Sequence, residues 1–216
     1  GDGPWGDAMH DDRIEAVDWA IEQGITTDGQ VAIMGGSYGG YATLAGLTFT
    51  PDRFVCGVDI VGPSNIITLL RSTPPQWKAM QTMLFKRMGN PEIEADRERL
   101  ARQSPLTHID KIKRPLLIGQ GANDPRVPQA ESDQIVSAMK EKNIPVTYAL
   151  YPDEGHGFVR PENRLSFFAV TEAFLATNLE GNFEPIGEDF DNSSIQVKSG
   201  AENIPGVSDA LASGSK

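Results

Sequence analysis

The stretch VAIMGGSYGG, residues 31–40, runs from a short apolar segment directly into four glycines that surround a serine and a tyrosine. The apolar residues are typical of a buried strand, and the small residues that follow favour a helix. The chain must reverse between the two within a few residues, which places Ser37 at the apex in a strained backbone conformation. Neighbours without a Cβ permit such a turn, and Gly35 and Gly39 occupy those positions. The pattern predicts a strand–turn–helix unit that raises the Ser37 hydroxyl above a sheet.

This G-x-S-x-G unit predicts a nucleophilic serine. The amide of Tyr38 would point to the place where an oxyanion forms, at the positive end of the following helix. A phosphate-binding loop would end in G-K-[ST], and a dinucleotide-binding loop would need G-x-G-x-x-G spacing; this segment has neither. A plain glycine-rich turn is the structural alternative.

Three histidines are candidates for the base that would activate the serine. His156 follows an apolar segment within PDEGHGF, and the glycines on both sides let its ring project from a tight loop. That loop lies at the carboxyl end of a predicted strand, where open parallel sheets place their sites. His10 lies near a helix start, so we expect it to be solvated or to cap the helix. His108 lies in a polar lead-in to a strand, so we expect it to be exposed. The sequence therefore predicts His156 as the base.

The base needs a carboxylate that orients its ring, from a strand end between nucleophile and base in chain order. Asp124 meets this requirement, because PLLIGQGAND reads as a buried strand that runs into a loop with the acid at its tip. Asp59, at the end of another apolar segment, is the alternative. Asp153 and Glu154 are so close to His156 in sequence that they are poorly placed to face its ring.

Short apolar segments alternate with helical patterns along the chain. The predicted strands and helices occupy, respectively, residues 30–34, 55–61, 115–118 and 146–151, and residues 12–23, 38–47, 129–142 and 165–179. This alternation predicts an α/β fold with a mostly parallel sheet covered by helices on both faces. The chain then turns to Gly, Ser, Asn, Asp and Glu. We therefore expect residues 1–180 to form the folded domain and residues 181–216 an extended or disordered acidic tail, which Phe183 and Phe190 could anchor in part.

Composition excludes several classes of function. The 216 residues carry 19 Lys and Arg against 30 Asp and Glu, a formal net charge of -11, which argues against a nucleic-acid partner. No apolar segment is long enough to predict a membrane span. The single cysteine, Cys56, excludes an internal disulfide. No H-E-x-x-H or paired-cysteine motif occurs, so the sequence predicts neither a metal nor a cofactor. The compartment stays open between cytoplasm and periplasm.

Three motifs in order, MGGSYGGY, GANDPRVP and DEGHGF, resemble the catalytic signatures of the prolyl oligopeptidase family of serine peptidases. The likeness is greatest to its acylaminoacyl-peptidase and dipeptidyl-peptidase-like branches and extends from Trp5 to about Leu179. It implies an α/β-hydrolase catalytic domain, carried behind an N-terminal β-propeller and acting on short peptides. Ser37, Asp124 and His156 fall on the nucleophile, acid and base positions of the family.

The resemblance also implies an oxyanion hole and a substrate pocket. Tyr38 falls on the position whose backbone amide forms half of the oxyanion hole. The residues that match pocket positions follow either the acid or the VGPSN segment, and they are Arg126, Val127, Ile67, Leu70 and Trp77. Core packing is the alternative role for the last three.

The chain also departs from the family pattern. The first strands, the early loop with the second oxyanion donor and the β-propeller have no counterpart before residue 1. We therefore expect a C-terminal piece of a longer protein that could form a homo-oligomer, with residues 31–34 at an open sheet edge. Alone, this piece is expected to be poorly stable and inactive. Two other functions stay open: an esterase or lipase on the same fold, and a noncatalytic binding module.

Overall fold

A five-stranded sheet forms the centre of the structure, a computed structural model that describes Gly3 and residues 5–213. Its strands are β1 (Ile33–Gly36), β2 (Gly57–Ile60), β3 (Leu116–Gly121), β4 (Val146–Tyr151) and β5 (Gln196–Ser199). The helices are α1 (Ala8–Glu22), α2 (Tyr38–Phe49), α3 (Ile66–Arg71), α4 (Lys78–Met88), α5 (Glu94–Arg102), α6 (Gln129–Glu141), α7 (Pro161–Leu179) and α8 (Val207–Ser213). Short 3₁₀ segments lie at Pro75–Trp77, Pro105–Lys111 and Ala201–Asn203.

The strands are hydrogen-bonded in the order β1–β2–β3–β4–β5. The first four are parallel, and β5 runs antiparallel to β4. Parallel neighbours need long crossover connections, which the intervening helical segments supply. The carboxyl ends of β1 to β4 therefore meet at one edge of the sheet, and β1 forms a side edge, as the sequence predicted.

Side chains of the central strands alternate between two hydrophobic cores, one on each face of the sheet. Leu116 and Ile118 pack into the core that contains residues of α2 and α6, whereas Leu117 packs into the core that contains α7. The residues of β4 alternate in the same way. Because both faces are covered, every residue of β3 and β4 is buried, which explains why apolar residues predominate in both strands.

The segment between β2 and β3 contains helices that apolar periodicity did not predict. The α5 sequence EADRERLAR is polar on nearly all sides, and Leu100 is its buried residue. The α4 sequence KAMQTMLFKRM buries only Met88 at its end. Helices with so few buried positions lack the apolar stripe that sequence analysis relies on.

The chain after Glu180 differs from the expectation of an extended or disordered tail. It forms β5 and α8, and β5 extends the sheet through its pairing with β4. Five tail residues are buried in the core shared with α7, namely Ile186, Phe190, Ile204, Val207 and Ala210. They are sparse and unevenly spaced, so no periodicity reveals them, yet each is buried. Residues 181–213 thus belong to the same folded unit, and residues 214–216 lie outside the described residues.

Candidate active site

The turn between β1 and α2 is tight and strained at one residue. Ser37 has φ 58° and ψ -116°, a region that residues with a Cβ rarely adopt. A Cβ at Gly35 would lie 2.6 Å from the carbonyl carbon of Gly39, so this glycine is sterically required. A Cβ at Gly39 would meet nothing within 4 Å. We predicted that both positions must lack a Cβ; the structure requires this at Gly35 but not at Gly39. The Ser37 N–H donates to the Ile60 carbonyl at 2.8 Å, which ties the turn to β2.

Three side chains that are distant in sequence meet at the carboxyl edge of the sheet. His156 Nε2 lies 2.8 Å from Ser37 Oγ, and His156 Nδ1 lies 2.7 Å from Asp124 Oδ2. An ionised carboxylate can only accept, so Nδ1 carries the proton and donates to Asp124. In the neutral ring, Nε2 is then the acceptor and the serine hydroxyl donates to it. The arrangement can therefore move a proton away from Ser37 Oγ.

The Asp124 carboxylate is fixed by its own loop. Its side chain is fully buried, and its second oxygen, Oδ1, accepts the backbone N–H groups of Arg126 at 2.8 Å and Val127 at 2.9 Å. Hydrogen bonds from backbone donors stabilise the charged form of a carboxylate and hold its orientation. Asp124 thus presents Oδ2 to His156.

The loop that carries His156 packs directly on the end of β3. A Cβ at Gly121 would lie 2.2 Å from the Gly155 carbonyl oxygen, so the two backbones touch only because Gly121 has no side chain. Gly155 and Gly157 form an isolated antiparallel bridge around the histidine, and Gly157 has φ +104°. A glycine is suited to that conformation. This tight reversal projects the imidazole toward Ser37.

A cavity of about 350 Å³ opens beside Ser37 and His156. Of the residues expected in a substrate pocket, Trp77, Arg126 and Val127 line it, and so does Tyr38. The remaining residues that line the cavity were not predicted from the sequence, and most of them are apolar: Trp5, Pro63, Leu69, Thr73, Pro74, Met80 and Leu84. Several lie on α3 and α4, whose sequences do not indicate which helix face points to the site.

The structure places neither Ile67 nor Leu70 in the cavity wall, contrary to expectation. Leu70 is fully buried in a core with Tyr41 and Leu100, and Ile67 packs against that core. Leu69, between them, lines the cavity. Consecutive helical residues point about 100° apart, so α3 cannot direct all three side chains to the same side.

The comparisons with known proteins agree with this geometry. The model of the prolyl oligopeptidase family matches residues 1–182. The chain belongs to the prolyl oligopeptidase family. The resemblance drawn from the three motifs is thereby confirmed.

Among relatives of this family member, dipeptidyl aminopeptidase BIII of Pseudoxanthomonas mexicana is 65% identical over 211 residues, which cover 98% of this chain and 31% of that protein. Dipeptidyl peptidase family member 6 of Caenorhabditis elegans is 50% identical over 199 residues, 92% of this chain and 27% of that protein. A puromycin-hydrolyzing peptidase of Mycobacterium tuberculosis matches with a TM-score of 0.76 and 30% identity, over 83% of this chain and 26% of that one. These likenesses confirm the α/β-hydrolase fold. The chain spans less than a third of each relative.

Other titratable residues of this prolyl oligopeptidase family member lie outside the hydrogen-bonded trio. His10 is buried inside α1, whose N-cap is Asp7, so it is neither solvated nor the capping residue. Its ring lies 3.2 Å from Thr50 Oγ1, and burial lowers its pKa. His108 Nε2 donates to the Arg102 carbonyl at 2.8 Å. Neither histidine lines the cavity beside Ser37.

Asp59, the alternative acid, has a different environment. It is completely buried, and its Oδ1 accepts the Gly62 N–H at 2.8 Å, in the turn that contains Val61 with φ +49°. Burial raises the pKa of Asp59 to about 7. A Cβ at Gly40 would lie 2.2 Å from Asp59 Oδ1, so the carboxyl fits against the first turn of α2. Asp59 therefore shapes the turn beside the nucleophile and does not contact the base.

The described part of the chain contains neither a cluster of metal-binding side chains nor a helix that could span a membrane. Within Gly3 and residues 5–213, no three His, Cys, Asp or Glu side chains cluster so that they could hold a metal ion. In the same residues, no helix has the length and apolar character needed to cross a membrane.

The buried Asp59 carboxyl predicts a specific pH dependence of stability. Its folded pKa of about 7 lies above the unfolded value of about 3.9. Between these values the folded state keeps a proton that the unfolded state has lost, so the free energy of unfolding falls as pH rises. Asp59→Asn removes this titration. The stability of the variant relative to the wild type should therefore rise by up to about 1.4 kcal/mol per pH unit across this window.

Urea unfolding, followed by circular dichroism from about pH 4 to pH 8, measures this difference. Asp110→Asn, at an exposed carboxylate, is the matched control and should show no such slope. A difference between Asp59→Asn and wild type that stays constant with pH would contradict the assignment.

Proposed function

We propose that the whole protein is a serine peptidase that hydrolyses peptide bonds of short peptides through an acyl-enzyme on Ser37. The observation that carries this proposal is the continuous hydrogen-bond chain from Ser37 through His156 to Asp124. Family membership supports the reaction class, and the names of the two dipeptidyl peptidase relatives favour peptides as substrates and dipeptides as products. The rest of the protein, expected to include a β-propeller, would restrict access to short peptides.

In the first half of the reaction, Ser37 Oγ attacks the carbonyl carbon of the scissile bond while His156 Nε2 takes the hydroxyl proton. Asp124 stabilises the imidazolium through the bond to Nδ1 and fixes the ring. The negative charge that develops on the carbonyl oxygen is stabilised by the Tyr38 N–H. As the first residue of α2, Tyr38 has no acceptor for that N–H within the helix, and it lies at the positive end of the helix dipole.

The first half ends when the tetrahedral intermediate collapses and His156 donates its proton from Nε2 to the leaving amine. The peptide C–N bond breaks, and the acyl group stays on Ser37 Oγ as an ester. Water then enters, loses a proton to His156 Nε2 and attacks the ester carbonyl. The ester bond breaks, Ser37 Oγ regains the proton, and the peptide acid leaves.

The cavity indicates the substrate side chain that fits beside the nucleophile. Its walls are mainly apolar and aromatic, and no carboxylate from the described residues lines it. Arg126 is the charged side chain in the wall, and among the described residues it makes no ion pair. This arrangement favours an apolar side chain next to the attacked carbonyl, with Arg126 available to bind a substrate carbonyl oxygen.

An esterase or lipase would use the same three residues, because the fold does not determine the substrate. A noncatalytic binding module would retain the fold with an idle site. Amide and ester substrates with the same acyl group separate the first alternative from the proposal, and the substitutions below test the second.

Three substitutions test the catalytic roles directly. We expect kcat for a dipeptide p-nitroanilide to fall by at least roughly 10⁴-fold in each of three variants of the whole protein. Ser37→Ala removes the nucleophile, His156→Ala removes the base, and Asp124→Asn removes the carboxylate that orients the base. The release of p-nitroaniline is followed spectrophotometrically, with circular dichroism to confirm folding.

His108→Ala is the matched control, since this histidine lies outside the cavity, and its kcat should equal that of the wild type. Retention of wild-type activity by any of the three variants would refute its assigned role. Vigorous ester hydrolysis with no amide hydrolysis would favour the esterase.

Two substitutions on α3, one at a residue that lines the cavity and one at a residue outside it, test the substrate pocket. Leu69→Ala enlarges the cavity wall and should lower kcat/KM about tenfold for substrates with a bulky apolar residue at the attacked carbonyl. Ile67→Ala, on the same helix but outside the cavity, should leave it unchanged. Steady-state kinetics with a substrate series from glycine to phenylalanine at this position measures both effects. Equal losses in the two variants would contradict the pocket assignment.

A further inference from the structure

The loop that carries His156 is joined to the chain after Glu180 by one buried side chain, Asn163. This residue lies in the first turn of α7 and has no exposed surface. Its amide nitrogen, Nδ2, donates to Glu154 Oε1 at 2.9 Å and to Asp153 Oδ1 at 3.0 Å. Both acceptors lie just before His156 in the same loop. Asn163 therefore binds the histidine loop through both of its N–H donors.

The other end of the Asn163 side chain binds the tail. Its Oδ1 accepts the Ser194 N–H at 2.9 Å and the Ser193 hydroxyl at 3.1 Å. An asparagine amide has two donors and two acceptor positions, and here all four are used. Exchange of the oxygen and nitrogen would place donors against donors and acceptors against acceptors. The side chain is thus held in one orientation between loop and tail.

Glu154 transmits this restraint to both sides of the histidine. It is buried, its Oε2 accepts the Val159 N–H at 2.8 Å, and its Oε1 accepts the Arg160 N–H at 2.9 Å. Its backbone carbonyl accepts the Asn123 N–H at 2.9 Å, next to the acid. The chain before and after His156 is therefore fixed to one carboxylate.

A second set of contacts joins the same loop and tail through Asp153. The Ser194 hydroxyl donates to Asp153 Oδ1 and also lies 3.2 Å from Asn163 Oδ1, and Asp153 pairs with Arg160. Arg160 Nη2 in turn donates to the Asn192 carbonyl at 3.0 Å. We use the name clasp for residues 192–194 of the tail together with the side chains of Asn163 and Asp153 that bind them.

We propose that the clasp positions His156 for proton transfer, so that the tail beyond residue 180 is a working part of the active site. The inference rests on the proposed function. Among the described residues, the His156 ring is hydrogen-bonded to Ser37 and Asp124, so the clasp residues act through the backbone of its loop. The family model ends at residue 182, and the clasp residues 192–194 lie beyond that end. Because reacting groups must be placed within a fraction of an ångström, a small shift of this loop slows the reaction strongly.

The first test is Asn163→Ala in the whole protein. It should lower kcat for a dipeptide p-nitroanilide by roughly tenfold to a hundredfold while KM changes by less than about twofold, because the cavity wall is untouched. The rate at which a small fluorophosphonate labels the serine should fall by a similar factor, since that reaction also needs the base. Partial unfolding would also lower the apparent kcat at unchanged KM, so both constants are compared at a temperature where the variant is fully folded by circular dichroism.

Val207→Ala is the control for general loss of stability. Val207 is fully buried in the same core, and its side chain has no polar atom that could join the clasp. At a temperature where both variants are fully folded by circular dichroism, Val207→Ala should retain wild-type kcat and labelling rate. An equal loss of kcat in both variants would overturn the proposal.

Ser194 provides a test that does not depend on Asn163→Ala folding. Ser194→Ala removes the hydroxyl that donates to Asp153, whereas Ser194→Thr keeps it. We expect Ser194→Ala to lower kcat and the labelling rate severalfold, and Ser194→Thr to restore both. Wild-type kinetics in Ser194→Ala, or in a folded Asn163→Ala, would refute the positioning role. This outcome differs from failure of the proposed function, in which the wild type itself would not be labelled and Ser37→Ala would keep its activity.

Discussion

The crowding of backbone at the carboxyl ends of β1 and β2 is the constraint on which the rest of the site depends. Ser37 is held at a positive φ by its hydrogen bond to Ile60 and by the absence of a side chain at Gly35. Such a conformation costs of order 1–3 kcal/mol, which the surrounding sheet and α2 must offset. In return the hydroxyl is fixed at the rim of the sheet, at the start of a helix. Each other group is positioned relative to that point.

The same close packing recurs where the other strands end. Gly121 lets β3 touch the histidine loop, and Gly40 lets α2 approach the turn that Asp59 holds. Buried polar side chains then fix the loops that glycine alone would leave free: Asp124 binds its own loop, and Asn163 binds the histidine loop and the tail. Networks whose donors and acceptors are all satisfied are rigid, and a single lost partner is costly. The site is thus built from glycine contacts and from the hydrogen-bonded side chains of Asp124 and Asn163.

The sequence predicted the trio of side chains because each lies in a short motif at the end of an apolar strand. Chain order and parallel topology then require Ser37, Asp124 and His156 to converge at one edge. It predicted the cavity wall only in part, because the α3 and α4 sequences do not reveal which side of each helix faces the nucleophile, and Leu69 rather than Leu70 points there. The tail was mispredicted because burial of isolated residues such as Phe190 depends on distant partners that periodicity cannot show.

We propose that Ser37 is a nucleophile whose reactivity depends on His156. The most direct measurement is to treat the whole protein with a fluorophosphonate and map the adduct by mass spectrometry of its peptides. We expect one phosphonyl group on the peptide that contains Ser37 in the wild type, and none in His156→Ala under the same conditions. An adduct on another residue, or equal modification of Ser37 in the absence of the histidine, would contradict it.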